Sequence, residues 1–464
     1  MSDKLRENSL SFFESLVLGV AGSGPANAIA LAMGSLIGIA GLLSPLYILV
    51  FAVPMLGIAM AYKGLNRRGA HAGAAFKWVG QAFGKFNGFM SGWALITAQM
   101  IFIISGVVPL STAILDFINP SLVNNVALTT ALSAVWFLLI VGVIMFGIKL
   151  TSYLQVVMLS FEIVVLLIIG AAAIVHGHAT SFANPFSFHL YSPSYLIHHF
   201  SGQSFAASAL VVVFLYWGWD VTANLGEETR NGEHAAGNGG LSGVIATIFL
   251  YSLYAAAALI LFTMAQTQNF SSNLLYQISI ASGLGRTGGL IASIAVIFSS
   301  AATVQTGMLQ VTRTLFAMGR DGALPHYLGK VSAKTQSPLQ ATYWLIGAGL
   351  AGILLTGFMP SVSAILSDGV TASGLQVSYY FGMAGLVSAW IYRDAYRESW
   401  RRWFAFSLFP GLSAVALIGT GIYAITTFNT TTIIVGVGTL LAGIVFFRPR
   451  RYCVEGVILP AVAE

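Results

Sequence analysis

The residues best suited to chemistry in this sequence stand inside apolar runs. Glu162 and Asp220 both lie deep in long hydrophobic stretches. An acid in hydrocarbon is costly unless it is paired, protonated or used, so each is a functional candidate by default. A buried carboxyl at Glu162 can take up and release a proton, which makes it the candidate coupling site. The plainer alternative is a hydrogen-bonded acid that ties one helix to another. Ser299, Ser300 and Thr303 place three hydroxyls in one apolar stretch, where they can face backbone carbonyls or bond to their own helix. His176, His178, His189, His198 and His199 gather between two such stretches. They show no fixed helical spacing of metal ligands, so no metal site is expected. Cys453 is the only cysteine, which excludes an intramolecular disulfide.

These residues must be positioned by elements built for lipid. Of 464 residues, 57% are hydrophobic and 8% charged, with a mean hydropathy of +0.83. Soluble domains carry about a quarter charged residues. A spanning helix needs about 20 apolar residues, and twelve runs meet that requirement: 11–36, 39–62, 87–114, 126–147, 152–175, 203–225, 240–265, 287–312, 339–358, 365–391, 404–426 and 430–447. The first two meet near Gly38. Lys4 and Arg6 precede an apolar run as in a secretory signal, but Asp3, Glu7 and Glu14 interrupt that pattern and the run continues to about Leu36, so it is expected to be a retained first span.

With a cytoplasmic N-terminus, twenty of the 21 Lys and Arg residues fall on one side, and only Arg286 falls on the other. The positive-inside rule is thereby satisfied for twelve spans with both termini cytoplasmic. The net charge of +6 then orients the chain in its membrane and calls for no nucleic-acid partner.

Two spans are expected to be broken. The first carries Gly19, Gly22, Ser23, Gly24 and Pro25 near its middle. Pro25 has no N–H and its ring clashes with the carbonyl of Ala21, while the glycines leave helical dihedrals at low cost. The sixth carries Tyr216-Trp217-Gly218-Trp219-Asp220 about a dozen residues into its run. Broken helices five spans apart point to an inverted-repeat transporter with its site near the midplane. The alternative for the first is a kink that serves helix packing. A helix restarting at Pro25 would offer the N–H groups of Ala26, Asn27 and Ala28, with those of Ser23 and Gly24, to a carboxylate. The open carbonyls of a half-helix suit an ammonium, and an amino acid carries both groups on one carbon.

Several motifs carry a resemblance. The segment from Ala61 to Arg68, then Ala72-Gly73-Ala74, Gly84-Lys85, Gly88-Phe89 and Gly92-Trp93, resembles the second-to-third-span signature of the amino acid–polyamine–organocation superfamily. The usual proline near Gly69 is missing, and Gly73 is followed by Ala74. The sixth span with Glu227-Glu228-Thr229, and the run from Ala317 to Pro325, are similar to two further family patterns. The first-span motif departs from the commoner Ile-Gly-x-Gly-Ile form, which leaves the substrate side chain open. The resemblance covers nearly the whole chain. It implies an all-α membrane protein of the LeuT type: a 5+5 inverted repeat of transmembrane helices, two accessory helices, and helices 1 and 6 broken. The repeats would be 1–175 and 176–392, with 393–464 holding helices 11 and 12 and the tail.

It further implies substrate contacts from Gly22, Ser23 and Gly24 and from Phe214, Leu215, Tyr216, Trp217, Gly218 and Asp220. Glu162 falls where cationic-type relatives often carry a lysine linked to proton coupling. Ser299, Ser300 and Thr303 fall where sodium-coupled members hold Na⁺, and proton coupling is ranked ahead of sodium. The expectation is a multi-pass protein of the cell inner membrane that moves amino acids or related amines, with lipid and a small-molecule substrate as its partners and no cofactor beyond the coupling ion. Exchange and uniport stay open, as does the oligomeric state. A membrane-embedded enzyme would need catalytic groups at depth, yet no histidine maps to a span centre. A channel filter is usually built by several subunits.

Overall fold

The computed structural model describes residues 4–180, 183–184, 192, 194, 198, 201–270, 273–426 and 428–448. His189, His199, Arg450, Arg451 and Cys453 lie outside the described residues. Hydrocarbon cannot hydrogen-bond a free N–H or C=O, so a spanning chain satisfies its backbone internally. The described residues accordingly form helices and turns, with one isolated parallel bridge between Leu10 and Thr229.

The α-helices begin with α1 (Phe12–Ser23), α2 (Pro25–Ala28), α3 (Gly34–Ala40) and α4 (Ser44–Asn66). There follow α5 (Ala75–Phe83), α6 (Lys85–Gly106), α7 (Val108–Ile118), α8 (Val126–Met145) and α9 (Ile148–Thr180). The later half contains α10 (Gly202–Leu215), α11 (Val221–Asn224), α12 (Gly232–Leu261), α13 (Leu274–Ser279), α14 (Gly285–Arg320), α15 (Leu339–Thr356) and α16 (Val362–Ile391). It closes with α17 (Trp400–Ile425) and α18 (Thr430–Phe446). Eight stretches among the described residues are long and apolar enough to cross a bilayer, and the shorter α10 and α18 are apolar too. Leu139, Val164, Phe249, Leu355 and Ile434 are each more than half exposed. An apolar surface of that extent faces lipid in a folded protein. The chain is an all-α, multi-pass membrane protein.

Helix α1 starts on a capping box, in which Ser11 N–H donates to Glu14 Oε2 at 2.7 Å and Glu14 N–H to Ser11 Oγ at 3.2 Å. It ends where Gly24 takes φ +53° and Pro25 opens α2. That left-handed geometry is what glycine permits. A second interruption separates α10 from α11, with Gly218 at φ +104°. The two breaks touch. A Cβ on Gly22 would collide with the Gly218 carbonyl, and one on Gly218 with the Gly22 carbonyl. Around them α1 packs through Val17, Val20 and Ala21 against Leu159 of α9 and Ala302 of α14. Against α12 it approaches closely at Gly239 and Gly243, the small-residue packing that membrane helices favour.

Three elements differ from the expected spans. The first turn falls at Gly41–Leu43 instead of Gly38, because Gly41 takes φ +56°. Residues 63–86, expected as a loop, hold the end of α4 and then α5, whose Phe76, Trp78 and Val79 are buried. The connection after α12 contains α13, pinned by fully buried Leu274, Leu275 and Ile278. In each case a few apolar side chains find a tertiary surface that a hydropathy window does not see.

Candidate functional site

The start of α2 is densely hydrogen-bonded. Glu162, projecting from α9 and fully buried, accepts from Ala26 N–H at 2.7 Å and from Ser299 Oγ at 2.9 Å through one oxygen, Oε1. Asn27 N–H donates to Ser299 Oγ at 3.2 Å, and Ser300 Oγ to Asn27 Oδ1 at 2.9 Å. Ala28 N–H bonds to Gly24 O, and Gly24 N–H to Ala21 O. The expectation that these donors stand free for a substrate carboxylate is therefore corrected. In hydrocarbon each unpaired N–H costs several kcal/mol, and the chain supplies its own carboxylate and hydroxyl to meet them. Glu162 Oε2 is left buried with no hydrogen-bond partner among the described residues.

The hydroxyls of α14 divide their work. Thr303 Oγ1 donates to Ala21 O at 3.0 Å, across to α1 as anticipated, and to Ser299 O in its own helix. Ser299 and Ser300 instead serve Glu162 and Asn27. Tyr251 OH donates to Ser23 O at 3.1 Å. Four elements, α1, α9, α12 and α14, thus converge on one break.

Between the breaks lies a small hollow of about 20 Å³ lined by Gly22, Ser23, Phe214, Trp217, Gly218 and Thr303, all singled out from sequence. Asn27, whose N–H had been expected at the substrate, completes the wall with Gln99, Phe102, Thr306 and Gly307, which had not been assigned to it. Gln99 carried a legible signal, a lone amide in the middle of an apolar span. Gly24, Leu215, Tyr216 and Asp220 do not line the hollow. Tyr216 OH donates to Ile48 O at 3.2 Å. Asp220 Oδ2 accepts from Gln310 Nε2 at 2.7 Å and Tyr380 OH at 3.0 Å. Trp217 Nε1 donates to Tyr380 OH at 2.6 Å, and Gln99 Nε2 to Gln310 Oε1 at 2.5 Å. Asp220 therefore stands behind the hollow and orders two of its wall residues. Two buried oxygens at the hollow, Ser23 Oγ and Gln99 Oε1, have no partner among the described residues. Phe102 and Trp217 meet edge to face at 5.6 Å between centroids, with Phe214 beside them.

One end of the bundle is closed by charge. Arg313 and Glu228, both about 1% exposed, form a two-pronged pair at 2.9 and 3.1 Å. Arg320 grips Glu227 at 2.6 and 2.8 Å, and Glu227 also accepts from Ala72 N–H at 2.8 Å. Lys77 Nζ lies 3.2 Å from Asp321 Oδ2. Burial opposes ionisation of Glu227, yet Arg320 holds its carboxyl below the usual carboxylate range. Burial likewise opposes ionisation of Asp321, and His71 and Lys77 bring it below its usual range. The chain before α1 is strapped across this end. Ser9 and Leu10 N–H both donate to Glu228 O, Arg230 N–H to Leu10 O, and Leu5 is buried with Ala72, Phe316, Ala317 and Val331.

A polytopic helical bundle with two interrupted helices around a small polar hollow, shut at one end by ion pairs, belongs to the class of membrane transporters. The chain matches the Amino acid permease family over residues 10–447 and belongs to it; it is a transport protein and not an enzyme. It is 24% identical over 383 residues to the branched-chain amino acid permease BcaP of Lactococcus lactis subsp. cremoris, covering 78% of this chain and 77% of that one. It is 25% identical over 317 residues to the vacuolar cationic amino acid transporter 4 of Arabidopsis thaliana, covering 65% of this chain and 50% of the relative. With the methylthioribose transporter of Bacillus subtilis it shares 28% identity over 232 residues, 48% of this chain and 46% of the relative.

Proposed function

We propose that this chain is a secondary active transporter that carries a neutral amino acid with an apolar side chain by alternating access, driven by protons. The observation that carries the reading is the hollow between Gly22 and Gly218, with two unpartnered oxygens and three aromatic rings. Ser23 Oγ and Gln99 Oε1 can receive the hydrogen bonds of an ammonium group, and Phe102, Phe214 and Trp217 offer an apolar surface to a side chain. Among the described residues no acid lines the hollow, so a cationic side chain would lack a counter-charge. That favours the chemistry in the name of the branched-chain relative over that of the cationic one. The architecture behind it is twelve crossings in two inverted five-helix repeats of the LeuT type, at 1–175 and 176–392, with 393–464 accessory. Both termini are cytoplasmic, in the cell inner membrane. In that orientation the ion pairs of Glu227, Glu228, Arg313 and Arg320 close the cytoplasmic end.

Glu162 is the proton site of this reading. Its Oε1 fixes the start of α2 while Oε2 has no partner, so a proton gained there changes the anchor of the break that shapes the hollow. Ser299 and Ser300 are occupied by Glu162 and Asn27, which favours the proton over sodium as the coupling ion. The test is uptake of leucine, valine, lysine and putrescine into proteoliposomes with and without an imposed pH difference. Accumulation of leucine driven by an inward proton gradient supports the reading. Uptake that only equilibrates, or that needs a counter-substrate inside, would replace it with a uniporter or an exchanger. Glu162→Gln is expected to abolish proton-driven accumulation and retain counterflow; an unchanged response to pH would remove Glu162 from the mechanism.

A further inference from the structure

A second cavity lies on the outside of the bundle, away from the transport hollow. It holds about 450 Å³ between α6, α15, α16 and α18, with Trp93, Trp344, Ala348 and Ala442 along its walls. Its lining is nearly all apolar, and Leu355 at its side is 66% exposed. On α6 the lining runs from Trp93 to Ser105, which at the α-helical rise is about 18 Å. One leaflet of the hydrocarbon core is about 15 Å deep. The groove is therefore as long as one leaflet.

The groove has a single charged group, Asp368. This residue sits two turns into α16, which Ser361 caps, and beside Asn429, which caps the start of α18. The start of α18 is thus level with Asp368, and the start of α16 lies about 10 Å further out, at the end of the bundle opposite the arginines of 393–402. Asp368 Oδ1 accepts from Asn429 Nδ2 at 2.8 Å and Thr432 Oγ1 at 3.4 Å. Among the described residues no Lys, Arg or His pairs with it. An anionic carboxylate at the mouth of a leaflet-long apolar slot asks for a ligand with a cation at one end and a hydrocarbon chain behind it.

We infer that this groove binds one phospholipid with a primary-amine headgroup, its ammonium on Asp368 and one acyl chain along α6 and α18. Neither the transport hollow nor the ion pairs that close the bundle contribute a residue to it, so it is a separate lipid site. An anionic headgroup would be repelled by Asp368. A choline headgroup would meet the charge but offer no N–H.

The experiment is native mass spectrometry of the full-length, delipidated protein titrated with phosphatidylethanolamine, phosphatidylcholine and phosphatidylglycerol of identical chains. One ethanolamine lipid is expected to be retained about fivefold more tightly than the glycerol lipid, the size of an exposed charge pair. Asp368→Asn should erase that headgroup preference while leaving acyl-chain retention. Ala348→Trp should lower retention of all three lipids, and Ala442→Phe is the second filling variant if the first does not fold. Equal retention of the three headgroups by the wild-type protein would overturn the inference. So would a dimer, or a bound hydrophobic peptide, that the filling variants dissociate, because the groove would then seat a protein helix. Lipid retention is read without transport, so its failure leaves the transport reading untouched.

Discussion

Gly22 and Gly218 bring the two interrupted backbones into contact, and each lacks the space for a Cβ. A Gly22→Val variant is expected to lose transport by at least tenfold, because its branch must displace the Gly218 carbonyl or spoil the hollow. Proteoliposome uptake checks this, and wild-type rates would show that the two breaks need not meet. Gln99 gives a milder case. Its Oε1 has no partner, and one hydrogen bond to a ligand contributes about 1 kcal/mol, roughly fivefold in affinity. Gln99→Leu should raise the leucine concentration needed for a given thermal shift about fivefold, and an unchanged concentration dependence would remove Gln99 from the ligand shell. The two acids show what residue type tells and what it omits. Their cost in hydrocarbon marks both as important. That Glu162 anchors the first break, and that Asp220 at the second stands behind the hollow, depends on partners 136 and 90 residues away, Ala26 and Gln310.

At the level of elements, the charged end works as a clamp between the turn after α11 and the last turns of α14. The Arg313–Glu228 pair is fully buried. Removing one partner strands a charge at a cost of about 3–5 kcal/mol. Arg313→Met should therefore destabilise the protein by that amount in thermal unfolding, whereas Arg313→Met with Glu228→Leu should recover most of the loss. Equal losses in the single and double variants would mean that the charge pair is not the cause. Acid should act on the outer pairs. Glu227 and Asp321 have folded-state values depressed below ordinary carboxylates, so their stabilisation is full above the unfolded values of about 4.3 and 3.9 and fades as pH falls through the lower folded ones. The melting temperature is expected to stay level from pH 8 to about pH 5 and to drop below about pH 4. Glu227→Gln with Asp321→Asn should flatten that drop, and an identical acid limb would assign it to other groups. Sequence marked these partners as members of two motifs, Glu227-Glu228-Thr229 and the run after the eighth span, but not that one motif grips the other.

For the molecule as a whole, the solvent is the organising fact. Twenty basic residues on one side of the expected spans orient the chain, and labelling can test it. With Cys453→Ser as background, Ser361→Cys should react with an impermeant thiol reagent in intact cells, and Arg397→Cys only after permeabilisation. The reverse pattern would invert the topology. Composition and hydropathy alone decide that this chain lives in lipid, because those depend on counts summed over long runs. The places where helices must break are equally local, since proline and glycine act on their own backbone, and both interruptions are found where those residues stand. Tertiary structure alone decided how each exposed donor was satisfied, and so what was left for a ligand. Ala26 N–H found Glu162, whereas Ser23 Oγ and Gln99 Oε1 found nothing. The physical reason is that a hydrogen bond is settled by distances between helices remote in sequence, and hydrocarbon provides no water to make up the shortfall.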